Sequence, residues 1–144
     1  MARIRISMPE HFSFSTLIPI RITDLNYAGH VGNDMVLSIL HEARVQYLMH
    51  FGYQESDLSG TGLIMTDVSI EFKKELFYGD TIIASVIASE FSRVGFELFY
   101  KLETRKNGTS ILVANAKTAM VCFDYAAKKV VSIPAIVVET LKSP

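Results

Sequence analysis

The sequence has only one cysteine, Cys122, so no disulfide can form within the chain. A lone cysteine fits a reducing compartment. In a strand-like run it reads as a small buried hydrophobe rather than a nucleophile. An excess of charge of either sign is also missing: 14 basic side chains stand against 15 acidic ones, for a formal net charge of -1. No electrostatic footprint for nucleic acid or an anionic membrane stands out. No apolar run approaches the ~20 residues of a membrane span. The opening MARIRISMPEHFSFST carries two arginines but no signal-like apolar stretch. A soluble cytoplasmic protein is therefore expected. The four prolines sit near element boundaries or the chain end, and no internal repeat or low-complexity segment occurs. The expected partner is a small molecule or a second copy of the chain.

What is present is a hydrophobic fraction of 49% in 144 residues. That length makes one domain spanning residues 1–144, able to bury about 70% of its unfolded surface. The chain is organised around Asp24 to Gly52, an irregular polar loop opening onto the one long helical pattern. Val36, Leu40, Ala43, Tyr47 and Phe51 recur at helical spacing, and Leu37, Ile39 and Leu48 widen the apolar surface. A largely buried helix is expected, with Asn33 as N-cap, Asp34 complementing the dipole in the first turn, and Gly52 ending the helix. The Gly29-His30-Val31-Gly32-Asn33 run brings backbone N–H groups and the positive end of a helix dipole to one place, where they can polarise a substrate carbonyl.

The remaining elements are strands. Residues 12–23 are rich in β-branched and aromatic types, with Pro19 marking an edge or bulge. Residues 53–62 form a polar, glycine-bearing connection. Strands are predicted at 63–74 and 81–90, separated by a turn at 77–80, and at 94–104, where Val94, Phe96, Leu98, Tyr100 and Leu102 alternate with polar residues. Asn107-Gly108 signals a hairpin into a strand from Thr109 to about Phe123. A turn follows near Lys128-Lys129, and a short closing helix is expected with Pro134 in its first turn. No helix is available between successive strands after Gly52, which excludes a doubly wound parallel sheet. The predicted architecture is α+β: an antiparallel five-stranded sheet wrapped around one long central helix.

Several chemical motifs fail. His41-Glu42 begins a zinc pattern whose second histidine position holds Val45, so no metal site is expected. Gly29-x-x-Gly32 lacks the basic surroundings of an RNA-clamping glycine loop. No P-loop, dinucleotide fingerprint or Gly-x-Ser-x-Gly elbow occurs, and no cofactor is expected.

The element order, the stretch DLNYAGHVGND, Glu42-Ala43-Arg44 in the helix and the Tyr78-Gly79-Asp80 turn together resemble the hotdog-fold acyl-CoA thioesterases of the 4-hydroxybenzoyl-CoA thioesterase type. The loop of that family reads roughly Asp-x-Asp-x-x-Gly-His-Val-Asn-Asn. Asp24, Gly29, His30, Val31 and Asn33 match it, whereas Asn26 stands where the family has its catalytic acid and Gly32 replaces the next-to-last asparagine. The resemblance implies an acyl-CoA or acyl-carrier thioester substrate, a homodimer or homotetramer, and a backbone N–H at Asn33 that polarises the thioester carbonyl. It further implies sites at the subunit interface, with Asp67 reaching from a neighbouring subunit and Arg93 near coenzyme A phosphates.

An amide at position 26 cannot deprotonate water, although it can orient a water or donate to an oxyanion. Asp24 or a cross-subunit acid is then expected to take the proton, with the Gly32 and Asn33 amides holding the oxyanion. Structural alternatives stand beside each role. Asp24 and Asn26 can be turn residues, His30 can pin the loop, and Arg93 can be a solvated turn charge. Glu42 lies roughly 13.5 Å along the helix from its start and reads as a structural carboxylate near Arg44 or His41. The open alternatives to hydrolysis are a non-catalytic acyl-CoA binding protein and, behind it, an acyl-thioester hydratase or dehydratase.

Overall fold

The computed structural model describes residues 2–143. Strand β1 (Phe14–Pro19) leads through a 3-10 turn (Ile22–Asp24) and the loop to helix α1 (Asn33–His50). Strands β2 (Gly62–Phe72), β3 (Thr81–Ser89), β4 (Gly95–Lys106), β5 (Thr109–Asp124) and β6 (Lys129–Val130) precede the closing helix α2 (Ala135–Lys142). The strands form one antiparallel sheet in the order β1-β3-β4-β5-β2, with β6 added to the end of β5. This is the expected α+β arrangement with one more strand. The two-residue β6 lies where the sequence predicts only a turn, because Lys128 takes a left-handed backbone, φ 56°, and folds the chain back onto β5.

The helix packs against one face of the curved sheet. Val36, Ile39, Leu40, Ala43, Tyr47 and Leu48 meet Val86, Leu98, Tyr100, Leu102, Ala114 and Ala116 in a single core. Cys122 is part of that core, as its strand setting implied, and burial pushes its thiol above the usual range. One difference from expectation concerns α1. Leu37 is 39% exposed and Met49 63% exposed, and Ser38, His41 and Glu42 also face outward. A single chain's sheet covers only one side of the helix, so only that side is buried.

The start of α1 also departs from expectation. Gly32, with extended backbone at φ -70° and ψ 151°, is the N-cap, and Asn33 is already helical. No side chain caps this end. At the other end Phe51 is the C-cap and Gly52 follows at φ 83°, the left-handed position that glycine serves best. Pro19 closes the edge strand β1, where its missing N–H breaks no ladder bond to a further strand.

Among the described residues, no helix is long and apolar enough to cross a membrane, and no cluster of three potential metal-ligating side chains occurs.

Candidate functional site

The loop between the 3-10 turn and α1 is held by its own backbone. Leu25 and Val31 pair as an isolated antiparallel bridge. The Asn26 N–H donates to the His30 carbonyl at 2.8 Å, and the Gly29 N–H donates to the Asn26 carbonyl at 3.1 Å. Gly29 sits at φ 85°, which explains why glycine occupies that turn. The Val31 N–H donates to the Leu76 carbonyl at 2.8 Å, tying the loop to the segment after β2. The chain therefore enters α1 from a closed, doubly anchored turn.

Asn26 is half-buried, and its Oδ1 accepts from the Ala28 N–H at 2.9 Å. This Asx turn fixes which way the amide faces. The Nδ2 group is left as a donor on the side of Gly32: a methyl placed on Gly32 would lie 3.7 Å from it and 2.5 Å from Asp34 Oδ1. Beyond Gly32 come the first amides of α1, which have no partner inside the helix and carry the positive end of its dipole. Asn26, Gly32, Asn33 and Asp34 are thus brought together at one helix end.

A cleft of about 310 Å³ opens beside this point, lined among others by His30, Asn33, Lys73, Lys74, Glu75 and Val113. The His30 ring lies edge-on to Phe77, its Nδ1 is 3.2 Å from the Val31 carbonyl, and its Nε2 is 3.8 Å from Glu75 Oε1. These contacts fasten the loop to the far wall of the cleft. Lys73, Lys74 and Glu75 escaped sequence reasoning because nothing in the spacing of a loop after β2 announces that it faces another loop some forty residues earlier. The adjacent lysines were the one available signal.

Asp24 is placed differently. It is 4% exposed, and its carboxylate accepts from the Arg21 N–H at 2.8 Å while pairing with the Arg21 guanidinium at 3.4 Å. It lines a groove between β1 and α1 with Arg21, Ser38 and Glu42, which shares no lining residue with the cleft. Asp67 is exposed on β2, five residues or about 16 Å of strand from Phe72. Arg93 donates to Ser132 at 3.3 Å just before β4 and is not among the residues lining the cleft. Neither meets the helix start within this chain.

The polar residues inside α1 serve the interior. Arg44, 5% exposed, donates to the Tyr100 hydroxyl at 3.2 Å and reaches Glu55 Oε1 at 3.4 Å. His41 Nε2 approaches the same carboxylate oxygen at 2.9 Å, and the Tyr100 hydroxyl lies 2.7 Å from Thr118 Oγ1. The pairing expected of Glu42 with Arg44 or His41 is corrected: Glu55, in the connection after α1, is their carboxylate. Glu42 faces solvent and accepts from Gln46 one turn along.

Comparison with known proteins supplies the context for this geometry. The model of the thioesterase-like superfamily matches residues 20–141. A 1,4-dihydroxy-2-naphthoyl-CoA hydrolase of Microcystis aeruginosa is 35% identical over 118 residues, covering 80% of this chain and 83% of the relative. A crystal structure of an aspartate-to-asparagine mutant of 4-hydroxybenzoyl-CoA thioesterase, complexed with 4-hydroxybenzoyl-CoA, superposes with a TM-score of 0.82 at 19% identity, covering 90% of this chain and 98% of that one. A 1,4-dihydroxy-2-naphthoyl-CoA thioesterase from Synechocystis gives a TM-score of 0.79 at 20% identity, over 90% and 96% of the two chains. At such identities the two superpositions establish the shared fold.

Proposed function

This chain belongs to the thioesterase-like superfamily and is an acyl-CoA thioester hydrolase, and from that premise we propose that hydrolysis takes place at the start of α1. The observation that carries the proposal is that Asn26 Nδ2 lies beside Gly32, the residue that leads into the free amides of the first helical turn, where Asn33 lines an open cleft. A thioester carbonyl resting there accepts from the Asn33 N–H, assisted by that of Gly32. Water adds to the carbonyl carbon, the oxyanion is held by amides fixed before the reaction begins, and collapse of the adduct breaks the C–S bond. The products are a carboxylic acid, which releases its proton to solvent, and coenzyme A thiol. Fixed donors of this kind contribute about 10² to 10³ in rate each.

In this reading Asn26 orients water or the carbonyl through Nδ2, Gly29 shapes the turn, and His30 anchors the loop to Glu75. Asp24 acts as the clamp that sets the loop's entry, since Arg21 engages its carboxylate. Lys73 and Lys74 lie at the cleft where coenzyme A phosphates can be met. The acyl group is proposed to be aromatic, of the hydroxynaphthoyl or hydroxybenzoyl kind, on the strength of the 35%-identical relative's substrate. A homodimer or homotetramer accompanies the proposal. Strand β2 ends the sheet with its outer edge open, and Asp67 and Arg93 reach a substrate at this loop only from another subunit. Edges of this kind are commonly covered. A cytoplasmic enzyme fits the single, buried cysteine.

The test is thiol release from 1,4-dihydroxy-2-naphthoyl-CoA, 4-hydroxybenzoyl-CoA and short and long aliphatic acyl-CoAs. Turnover is expected with the aromatic thioesters above all. Saturable binding of every thioester without thiol release would refute catalysis at this site. Faster turnover of aliphatic chains would refute the aromatic assignment.

A further inference from the structure

The resemblance leaves the reaction without its acid, because position 26 carries an amide. We infer that Asp34 supplies that acid as the general base, moved from the loop to the first turn of the helix. The inference rests on the proposed site at the start of α1.

Three observations carry it. First, a methyl built on Gly32 would stand 2.5 Å from Asp34 Oδ1 and 3.7 Å from Asn26 Nδ2, so those two atoms lie within about 6 Å of each other. The Asp34 carboxylate thus folds back over Gly32 and faces the position at which the family's acid is replaced. Second, Gly32 has φ -70°, a backbone conformation open to any residue. Glycine is therefore not required there by the chain's path; what it provides is the volume that the Asp34 carboxylate occupies. The two departures from the family loop, Asn26 and Gly32, are then one change: the acid leaves position 26, and the side chain at 32 is deleted to admit it from position 34.

Third, the other carboxylates near the loop and the segments that follow β2 are engaged, and only Glu75 among them lines the cleft. Asp24 is held by Arg21, Asp80 accepts from the Phe77 N–H and pairs with Lys106 at 2.8 Å, and Glu71 accepts from Ile6 and pairs with Lys73. Glu75 faces His30. Among the described residues, Asp34 enters no ion pair and no side-chain hydrogen bond. Complementing the helix dipole does not require the carboxylate to lie over Gly32; an aspartate anywhere in the first turn achieves that.

In the step assigned to it, an Asp34 oxygen takes one proton from the attacking water as the water oxygen bonds to the thioester carbon. The electron pair of the C=O bond moves to oxygen and is held by the Asn33 N–H. When the adduct collapses, the C–S bond breaks, the thiolate departs with its electron pair, and the proton on Asp34 passes to it. Water and thioester are consumed and acid and thiol are formed, with no other reactant.

The experiment is steady-state thiol release from 1,4-dihydroxy-2-naphthoyl-CoA and 4-hydroxybenzoyl-CoA by wild type, Asp34→Asn and the double variant Asn26→Asp/Asp34→Asn. Asp34→Asn is expected to lower kcat by 100-fold or more, the scale of a positioned general base, with KM and thermal midpoint little changed. The double variant, which returns a carboxylate to position 26, is expected to recover at least tenfold of that loss, a recovery that a merely structural Asp34 would not permit. A kcat for Asp34→Asn within threefold of wild type overturns the inference, as does a double variant no faster than Asp34→Asn. An inactive wild type overturns the site itself and is seen before any variant is made, so the two failures are distinct.

Discussion

Gly32 shows how a residue without a side chain decides what its neighbours do. Replacing it with alanine puts a methyl 2.5 Å from Asp34 Oδ1, which forces that carboxylate to rotate away while leaving the φ of -70° acceptable. Gly32→Ala is accordingly expected to fold with an unchanged thermal midpoint and to lower kcat for an aromatic acyl-CoA by about tenfold or more, a loss of 1.4 kcal/mol or more in transition-state stabilisation. Stopped assays of thiol release alongside a melting curve check it. At this scale the sequence was legible where the motif depends on spacing: Asn26, Gly29, His30 and Asn33 fall together because the turn fixes their order. It was not legible for Asp34. First-turn acids are common, and only the missing Cβ two residues earlier, seen in three dimensions, distinguishes this one. The N-cap was misplaced for a related reason, since asparagine is a strong cap by type and the extended backbone that marks the cap belongs to Gly32.

At the scale of elements, the alternation in residues 94–104, the Asn107-Gly108 hairpin and the existence of the closing helix were all readable, because each rests on contacts within a few residues, although Pro134 is the extended N-cap of that helix and not part of its first turn. What the sequence concealed was the partner of Arg44. Glu55 lies eleven residues on, beyond the end of α1, and meets Arg44 only because the connection after Gly52 folds back over the helix. Glu42, the nearer acid, points to solvent. This buried chain from Glu55 through Arg44 and Tyr100 to Thr118 ties α1 to β4 and β5. Arg44→Ala removes its centre, leaving the Tyr100 hydroxyl with Thr118 alone and a partly buried carboxylate without its guanidinium. The expected cost is about 3 kcal/mol, at the low end for a broken buried pair because Glu55 retains His41 and some water. Urea denaturation reads that difference directly; a change below about 0.5 kcal/mol would show the network to be dispensable.

For the whole molecule, strand identity was legible but strand order was not, since β2 pairing with β5 and β1 with β3 depends on crossovers that leave no local mark. The assembled interior also has a titration signature. Tyr47 is fully buried beneath the sheet, its hydroxyl accepting from the Ala88 N–H, and burial pushes it from 10.0 up to about 12. Burial pushes Tyr100 upward as well. A raised value in the folded state favours the neutral phenol. The stability it contributes is complete below pH 10 and is lost as pH rises towards 12. Between pH 9 and pH 11 wild type should lose on the order of 1 kcal/mol through Tyr47. Tyr47→Phe, less stable throughout for want of an acceptor for Ala88, should lose correspondingly less over the same interval. Equal slopes would contradict this.

The fold as a whole presents one helix end to an open cleft, where the backbone is proposed to bind the oxyanion. Asn33 is the first helical residue, the position that best accepts proline, and Gly32 before it already has the extended backbone that a following proline demands. Asn33→Pro therefore deletes one N–H while leaving the helix in place. Its kcat for thiol release from 1,4-dihydroxy-2-naphthoyl-CoA, measured beside its circular dichroism and thermal midpoint, is the decisive quantity. Loss of that oxyanion donor should lower kcat by about 10² to 10³ with both structural signals preserved. Undiminished turnover by a folded Asn33→Pro enzyme would contradict it.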